Sequence, residues 1–295
     1  MRPHKSKQAG FTLIELIMVM VITGIIASVV AIFMKTPVDQ YLDIARRAEM
    51  TDIADTALHR MARDIRTAVP NSVRLSGDKY IEFLPTKAGG RYRANATGSN
   101  CSAVGNTEND ALSFISTDTC FEILGPTIDD FATDDQIVVG STQSDGNLPY
   151  QDPSSATSIR RTYSSDTVIA NTQIVVITSS TPLPGTAKLE GYRFEVVPGE
   201  QKAITYACEN IGGITEGTGT LTRYWAYGFN AAQVTPPFTP PSGGLSALLA
   251  DKISDCSIAY NTTNQRNGLL AITLTIMSGG ESISLYQEIH VNNTP

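Results

Sequence analysis

The chain has 295 residues, of which 41% are hydrophobic, and it carries 22 Lys and Arg residues against 29 Asp and Glu residues. This length leaves room for one domain of about 220 residues, or two smaller lobes, after the apolar N-terminal segment. The formal charge of -7 at pH 7 argues against generic nucleic-acid binding, because such binding relies on basic patches that neutralise phosphates.

A long apolar segment begins at Phe11. The 24 residues from Phe11 to Met34 contain one charged side chain, and they can form about 36 Å of helix, enough to span a bilayer. That charge is Glu15, and burying a carboxylate in such a segment costs roughly 2.5 to 3.5 kcal/mol unless it finds a partner. If the chain is cut after Gly10, the new ammonium of Phe11 can pair with Glu15 of a neighbouring subunit.

The leader, residues 1–10, is basic. Its three cationic side chains are Arg2, Lys5 and Lys7, so the cleaved chain keeps 19 bases against 29 acids and its formal charge moves from -7 to -10. Positive residues tend to stay cytoplasmic, which predicts that the C-terminal body lies on the outer side of the membrane. A secretory signal peptide is the main alternative, but the apolar run is too long and no A-x-A site follows it. An ordinary single-pass anchor is the other alternative.

The hexapeptide at residues 10–15, Gly-Phe-Thr-Leu-Ile-Glu, resembles the processing site of type IV prepilins and type II secretion pseudopilins. The basic leader and the apolar segment complete the resemblance. It implies that a prepilin peptidase cuts between Gly10 and Phe11 and methylates Phe11. It also implies that Glu15 is the charge that aligns subunits in an assembly.

The same resemblance implies partners and a location. The partners are the prepilin peptidase, other major and minor pilins, an inner-membrane pilus assembly platform and the membrane itself. No cofactor is expected, and the acidic composition leads us to expect no nucleic acid. The precursor is expected to cross the inner membrane once with its body in the periplasm, and then to reach a pilus or the cell surface.

Residues 11 to about 68 are predicted to form one long helix, with a membrane and assembly part at 11–36 and an amphipathic part at 37–70. Pro37 predicts a kink near the point where the helix leaves the lipid, because proline lacks a backbone donor. Arg60 and Asp64, at i and i+4, favour a solvated and salt-bridged face, with a subunit contact as the alternative. An apolar stripe able to pack on a sheet comprises Ile53, Ala57, Leu58, Met61, Ile65 and Ala68.

Residues 58–74, at the end of this helix, are similar to the post-anchor segment of large minor pilins. The similarity is strongest with the MshO-type minor pilins of the mannose-sensitive haemagglutinin pilus and weaker with the J-type pseudopilin of type II secretion. Major pilins are usually much shorter, so the length favours a minor subunit that initiates or caps a type IV pilus. A J-type pseudopilin and a pilus-tip adhesin are the alternatives. Many type IV pilins carry a proline in the lipid-embedded part, whereas residues 11–36 contain none.

Residues 71–295 are predicted to form a β-rich extracytoplasmic body, which gives an α+β fold: a long N-terminal helix packed on a largely antiparallel sheet. The clearest hairpin joins strands at 268–277 and 282–291 through the turn at 278–281. Polar loops are predicted at 88–110, 141–158 and 235–244. The other candidate strands lie near 79–84, 111–115, 136–140, 167–178, 191–197, 202–208, 220–228 and 255–260.

Four cysteines stand at positions 101, 120, 208 and 256, and an exported body makes disulfides the expected state. Three connectivities are possible, and the pairs Cys101 with Cys120 and Cys208 with Cys256 close the shortest loops. A metal site is the alternative, but the sequence has neither a C-x-x-C pair nor a histidine cluster to support it.

Catalytic or ligand-binding chemistry has weak support, and a non-enzymatic protein is predicted. The three histidines are far apart, and no G-x-S-x-G, H-E-x-x-H or phosphate-loop motif occurs. An acidic cluster lacks EF-hand spacing, so a solvated loop is favoured over a calcium site. Trp225, Tyr227 and Phe229 are predicted to share one face of a strand, in core packing rather than at a binding surface. The acidic cluster comprises Asp129, Asp130, Asp134 and Asp135.

Overall fold

The computed structural model describes residues 10–94, 110–141, 147–169, 171–189, 191–234, 244–264 and 267–293. The chain divides into two compact units, one that ends at Glu49 and one that begins at Met50. A single helix, α1, spans Leu13–Arg66 and contributes to both.

Helix α1 continues through Pro37 without a break. It ends where Thr67 and Ala68 donate backbone hydrogen bonds to the carbonyls of Asp64 and Ile65, after which Val69 donates to Leu84. The helix therefore ends at Arg66, close to the predicted end at about residue 68. The division at residues 36 and 37 stays a prediction.

A seven-stranded antiparallel sheet forms the larger part of the second unit, and this confirms the predicted α+β class. Its spatial order is β1-β2-β9-β10-β11-β12-β13. The strands are β1 (Arg74–Ser76), β2 (Tyr80–Phe83), β9 (Ile204–Glu209), β10 (Gly219–Trp225), β11 (Leu245–Asn264), β12 (Asn267–Ser278) and β13 (Glu281–Asn292).

A second β-structure is inserted between β2 and β9. Six strands close into a barrel in the order β3-β4-β7-β6-β5-β8. The chain leaves the sheet after Phe83 and returns at Ile204, and these two residues are register partners. Two short 3-10 helices, Leu148–Tyr150 and Gly185–Ala187, lie within the insertion. The barrel strands are β3 (Ala88–Tyr92), β4 (Cys120–Leu124), β5 (Gln136–Val139), β6 (Arg160–Ile169), β7 (Thr172–Thr178) and β8 (Arg193–Val197).

The C-terminal part of α1 packs on the sheet through one apolar face. Ala57, Leu58, Met61 and Ile65 are buried there and belong to the same core as the inward side chains of the sheet. Their spacing follows the 3.6-residue period, so the predicted stripe is confirmed. Each large side chain buried in this way contributes about 1.5 to 3 kcal/mol.

The barrel has its own core, in which Tyr92, Phe121 and Phe194 make edge-on aromatic contacts. A third cluster connects the barrel with the sheet, since it contains Val138 of β5 and Tyr227 beyond β10. The insertion is thus joined to the sheet by a buried apolar contact.

The hairpin of β12 and β13 matches its prediction, with Ser278 paired to Glu281 across Gly279 and Gly280. Both glycines have positive φ, 61° and 79°, which suits a two-residue hairpin turn. The predicted strand at 111–115 is wrong, because Leu112 packs into the barrel core without joining a ladder. The single strand predicted at 167–178 is instead the end of β6 followed by β7. The polar loop predicted at 88–110 begins with strand β3.

Candidate functional site

The predicted cleavage site lies just before α1. Gly10 is exposed, and an added Cβ there would meet nothing within 4 Å. Phe11 is 84% exposed. The Gly10-Phe11 peptide bond is therefore accessible to another protein in this structure.

Thr12 caps the N-terminus of α1, a role that the sequence analysis missed. The backbone N–H of Glu15 donates to the Thr12 carbonyl at 3.1 Å and to its hydroxyl at 3.4 Å. Leu16 also donates to the Thr12 carbonyl, at 3.2 Å. Thr-x-x-Glu is the sequence signature of a capping box, so the motif was readable. The cap places Glu15 in the first turn, where the helix dipole favours a negative charge.

The apolar part of α1 is exposed along its length. It is the one helix of the described ranges that is long and apolar enough to cross a membrane by length and composition, and no part of its most apolar window is buried within the protein. The hydroxyls of Thr23 and Ser28 donate to the helix carbonyls of Val19 and Ile25. Such internal bonds satisfy hydroxyls where water is absent. The segment fits a membrane anchor by its length and composition.

Asp64 faces the sheet, and this corrects the prediction that it pairs with Arg60 on a solvated face. Its Oδ2 accepts a hydrogen bond from the Tyr206 hydroxyl at 2.7 Å and one from Nε of Arg223 at 3.2 Å. The Asp64 side chain is only 19% exposed. The i, i+4 spacing could not reveal these partners, because they belong to β9 and β10.

The disulfide between Cys208 and Cys256 is present, which confirms that predicted pair. It joins β9 to β11, the two strands that flank β10, with the Cα atoms 6.4 Å apart. Cys120 is buried at the start of β4. Its predicted partner, Cys101, lies outside the described residues, so that pair stays a prediction.

The acidic cluster separates into two kinds of side chain. Asp135 is buried, 2.7 Å from Nζ of Lys87, and it accepts hydrogen bonds from the backbone of Ala132 and Gly199. The other members, Asp129, Asp130 and Asp134, are exposed. Within the described ranges, no group of three or more His, Cys, Asp and Glu side chains is placed to hold a metal ion. Asp135 is therefore a structural carboxylate.

Trp225, Tyr227 and Phe229 do not share one face of a strand, and that prediction is wrong. β10 ends at Trp225, and Ala226 has a positive φ of 61°, which breaks the alternation. The Tyr227 hydroxyl donates to Glu82 at 2.7 Å, and Phe229 stacks under the guanidinium of Arg160. Tyr227 is buried, so for this residue the prediction of core packing, in preference to a binding surface, is confirmed.

A buried polar cluster around Arg74 was also missed. Its guanidinium binds the carboxylate of Glu82 at 2.7 Å, lies 3.6 Å from the centre of the Tyr150 ring and donates to Asn147. Burial raises the pKa of Glu82, while Arg74 and Tyr227 oppose the rise. Because Asn147 and Tyr150 belong to the insertion, this cluster ties the barrel to the sheet.

Residues 5–31 match the protein family described as prokaryotic N-terminal methylation motif. The match supports a type IV pilin-like protein, either a pilin or a pseudopilin, and it implies processing by a prepilin peptidase and assembly with other pilins. Pilin-like proteins are structural and non-enzymatic. Comparisons with curated proteins and with solved structures found no match.

Proposed function

We propose that this chain is a minor pilin, anchored in the inner membrane as a precursor, cleaved after Gly10 and methylated at Phe11. The observation that carries the proposal is the methylation motif at residues 5–31, followed by an apolar helix that the body leaves uncovered. An uncovered apolar helix needs either lipid or the helices of neighbouring subunits around it.

Glu15 acts as the alignment charge in this proposal. Cleavage places a new ammonium on Phe11, one residue before the Thr12 cap. At about 4 Å and an effective dielectric of about 20, its attraction to a neighbour's Glu15 is on the order of 4 kcal/mol before desolvation. That attraction offsets much of the cost of burying the carboxylate, so it favours one axial offset between subunits.

The inserted barrel supports a position at the fibre end. Residues 84–203 add a second β-structure to the body, beyond the sheet that packs on the C-terminal part of α1. A subunit repeated along a fibre must fit between the neighbours above and below it, whereas one at the end has free space on one of these sides. The chain therefore initiates or caps the fibre, and its body faces away from the cell.

Deleting the gene and counting fibres tests this role. An initiator controls how many fibres form, so we expect fewer pili per cell with an unchanged length distribution, restored by the wild-type gene. A cap would instead change the length distribution. Normal pilus number and length in the deletion strain would contradict the proposal, and a simultaneous loss of protein secretion would indicate a pseudopilin.

A further inference from the structure

A continuous groove lies beside the last turn of α1. It consists of two cavities of about 390 and 240 Å³, which share Thr67, Thr86 and Lys87 in their walls. We call it the basic groove, because six cationic side chains line it: Arg60, Arg63, Arg66, Lys87, Arg193 and Arg223.

Charge is segregated in this groove. The cleaved chain has a formal charge of -10, yet six of its 19 bases line one surface feature against two acidic side chains, Asp64 and Glu195. Asp64 pairs with Arg223 and also lies 4.0 Å from Nε of Arg63, and Asp135 neutralises Lys87. Cations still outnumber acids, and the exposed ones are Arg60, Arg63, Arg66 and Arg193, so the groove presents a positive potential on an acidic body.

Helix-end electrostatics explain only part of this pattern. Arg63 and Arg66 lie in the last turn of α1, where cations favour the helix dipole. Arg193 belongs to β8 of the barrel, so the end of α1 does not determine its position in the groove. Two separate elements therefore direct cations into one groove.

Two buried polar atoms in the same groove have no hydrogen-bond partner within the described ranges. They are the hydroxyl of Thr86 and Oε2 of Glu195. Buried polar atoms in folded proteins are nearly always hydrogen-bonded, and an exception calls for a bound molecule or a functional reason. Both residues line the cavity through other atoms, so a rotation of each side chain would turn these two atoms towards a ligand with hydroxyl groups.

We propose that the basic groove binds an anionic saccharide. Its carboxylate or sulfate groups would pair with the guanidinium groups, which match such oxyanions in two-point hydrogen bonds. Its ring hydroxyls would bond to Thr86 and Glu195. Among the residues that the structure describes, none with an aromatic side chain lines the two cavities, and single-stranded nucleic acids bind largely by stacking on aromatic rings. An acidic peptide fits the groove less well, because it has no ring hydroxyls to bond to Thr86 and Glu195.

The test uses the purified, cleaved chain in detergent, with a sulfated heparin oligosaccharide as the probe in isothermal titration at 0.15 M salt. We expect saturable binding that weakens at least tenfold when Arg66 and Arg193 are both changed to alanine. Arg91→Ala is the matched control, since Arg91 is exposed on β3 outside the groove and its loss should leave the affinity unchanged. Circular dichroism establishes that each variant is folded.

Thr86→Val separates saccharide recognition from simple charge attraction. It keeps every charge and the side-chain shape but removes a hydroxyl, so we expect a severalfold loss of heparin affinity. A double-stranded DNA oligonucleotide and polyglutamate serve as competing polyanions. Equal binding of all three probes with no effect of Thr86→Val would overturn the saccharide assignment, and wild-type affinity in the double arginine variant would overturn the site. Neither result depends on fibre assembly, which the deletion strain tests separately.

Discussion

Tyr206 and Asp64 are 142 positions apart in the chain, and the Tyr206 hydroxyl donates to the Asp64 carboxylate at 2.7 Å. This hydrogen bond joins β9 to the last turns of α1. Nε of Arg223 donates a second hydrogen bond to the same carboxylate. Burial and the neighbouring carboxylate raise the pKa of Tyr206, so its hydroxyl stays protonated and acts as a donor.

Tyr206→Phe is expected to lower the free energy of unfolding of the body by about 1.5 to 3 kcal/mol, the usual range for a hydrogen bond to a charged group. Urea denaturation of the cleaved chain in detergent measures the change. Tyr286→Phe is the matched control, because the Tyr286 hydroxyl bonds to Glu288 on an exposed strand face, and its midpoint should not move. Equal midpoints for both variants would show that the Asp64 contact contributes nothing.

Mature protein isolated from cells is expected to begin with N-methylated Phe11. The accessible Gly10-Phe11 bond and the methylation motif at residues 5–31 are the basis of this expectation. Mass spectrometry of the N-terminal peptide measures both the cut and the methyl group. An intact leader or a cut at another bond would contradict it.

Glu15→Val is expected to reduce incorporation into fibres while leaving membrane insertion and cleavage intact. The substituted subunit would leave a Phe11 ammonium without an opposite charge in a low-dielectric core. Precursor processing and fibre content are compared by immunoblot in the same cells, with Glu15→Asp as a variant that keeps the charge. Normal cleavage with unchanged assembly would eliminate Glu15 as the alignment charge.

Non-reducing peptide mapping is expected to link Cys208 to Cys256 and Cys101 to Cys120. Replacing both Cys208 and Cys256 by alanine should lower the free energy of unfolding by roughly 2 to 5 kcal/mol, because the open chain gains conformational freedom. Thermal unfolding with and without reductant measures this effect. Free thiols or crossed pairs in the map would refute the assignment.

Glu195 is expected to make the stability of the body pH-dependent. Burial raises the pKa of Glu195 to about 7, and Arg193 only partly opposes this rise. The folded state therefore holds a proton that the unfolded state releases above about pH 4.3, so this contribution to stability falls as the pH rises towards 7. Its slope approaches 1.4 kcal/mol per pH unit, as an order-of-magnitude estimate.

Glu195→Gln isolates this effect from other titrations. The difference in unfolding free energy between wild type and variant should favour the wild type most near pH 4.5 and least above pH 7. Glu200→Gln removes the same charge at an exposed position of the β8–β9 connection and serves as the control. A pH-independent difference for Glu195→Gln would show that its carboxyl is not shifted.

The sequence predicted those elements whose pattern is local. The stripe containing Met61 and Ile65 follows the helical period, and the β12–β13 hairpin combines alternation with a Gly-Gly turn, so both could be read directly. β3 could not, since its sequence Ala-Gly-Gly-Arg-Tyr lacks β-branched residues and gains its conformation from β4 and β8. Barrel closure depends on strand pairs that are distant in sequence, which no local pattern encodes.

At the candidate sites, too, the sequence revealed residues in a local motif and did not reveal contacts between distant residues. Gly10, Phe11 and Glu15 were recognised because a contiguous motif contains them, and the Thr12 cap could have been found by the same means. The partners of Asp64 and the cluster around Arg74 could not be found, because each joins residues from separate elements. The basic groove likewise combines α1 with β8.

The direct pairing of Phe83 with Ile204 has a consequence for how the chain folds. If residues 84–203 were a flexible loop, bringing its ends together would cost on the order of 4 kcal/mol in entropy, before the β2–β9 ladder could form. A barrel that is already folded holds its two ends close together and removes most of that cost. We therefore expect the barrel to fold first and the sheet to close afterwards, so that Phe121→Ala in the barrel core slows the formation of the distant sheet.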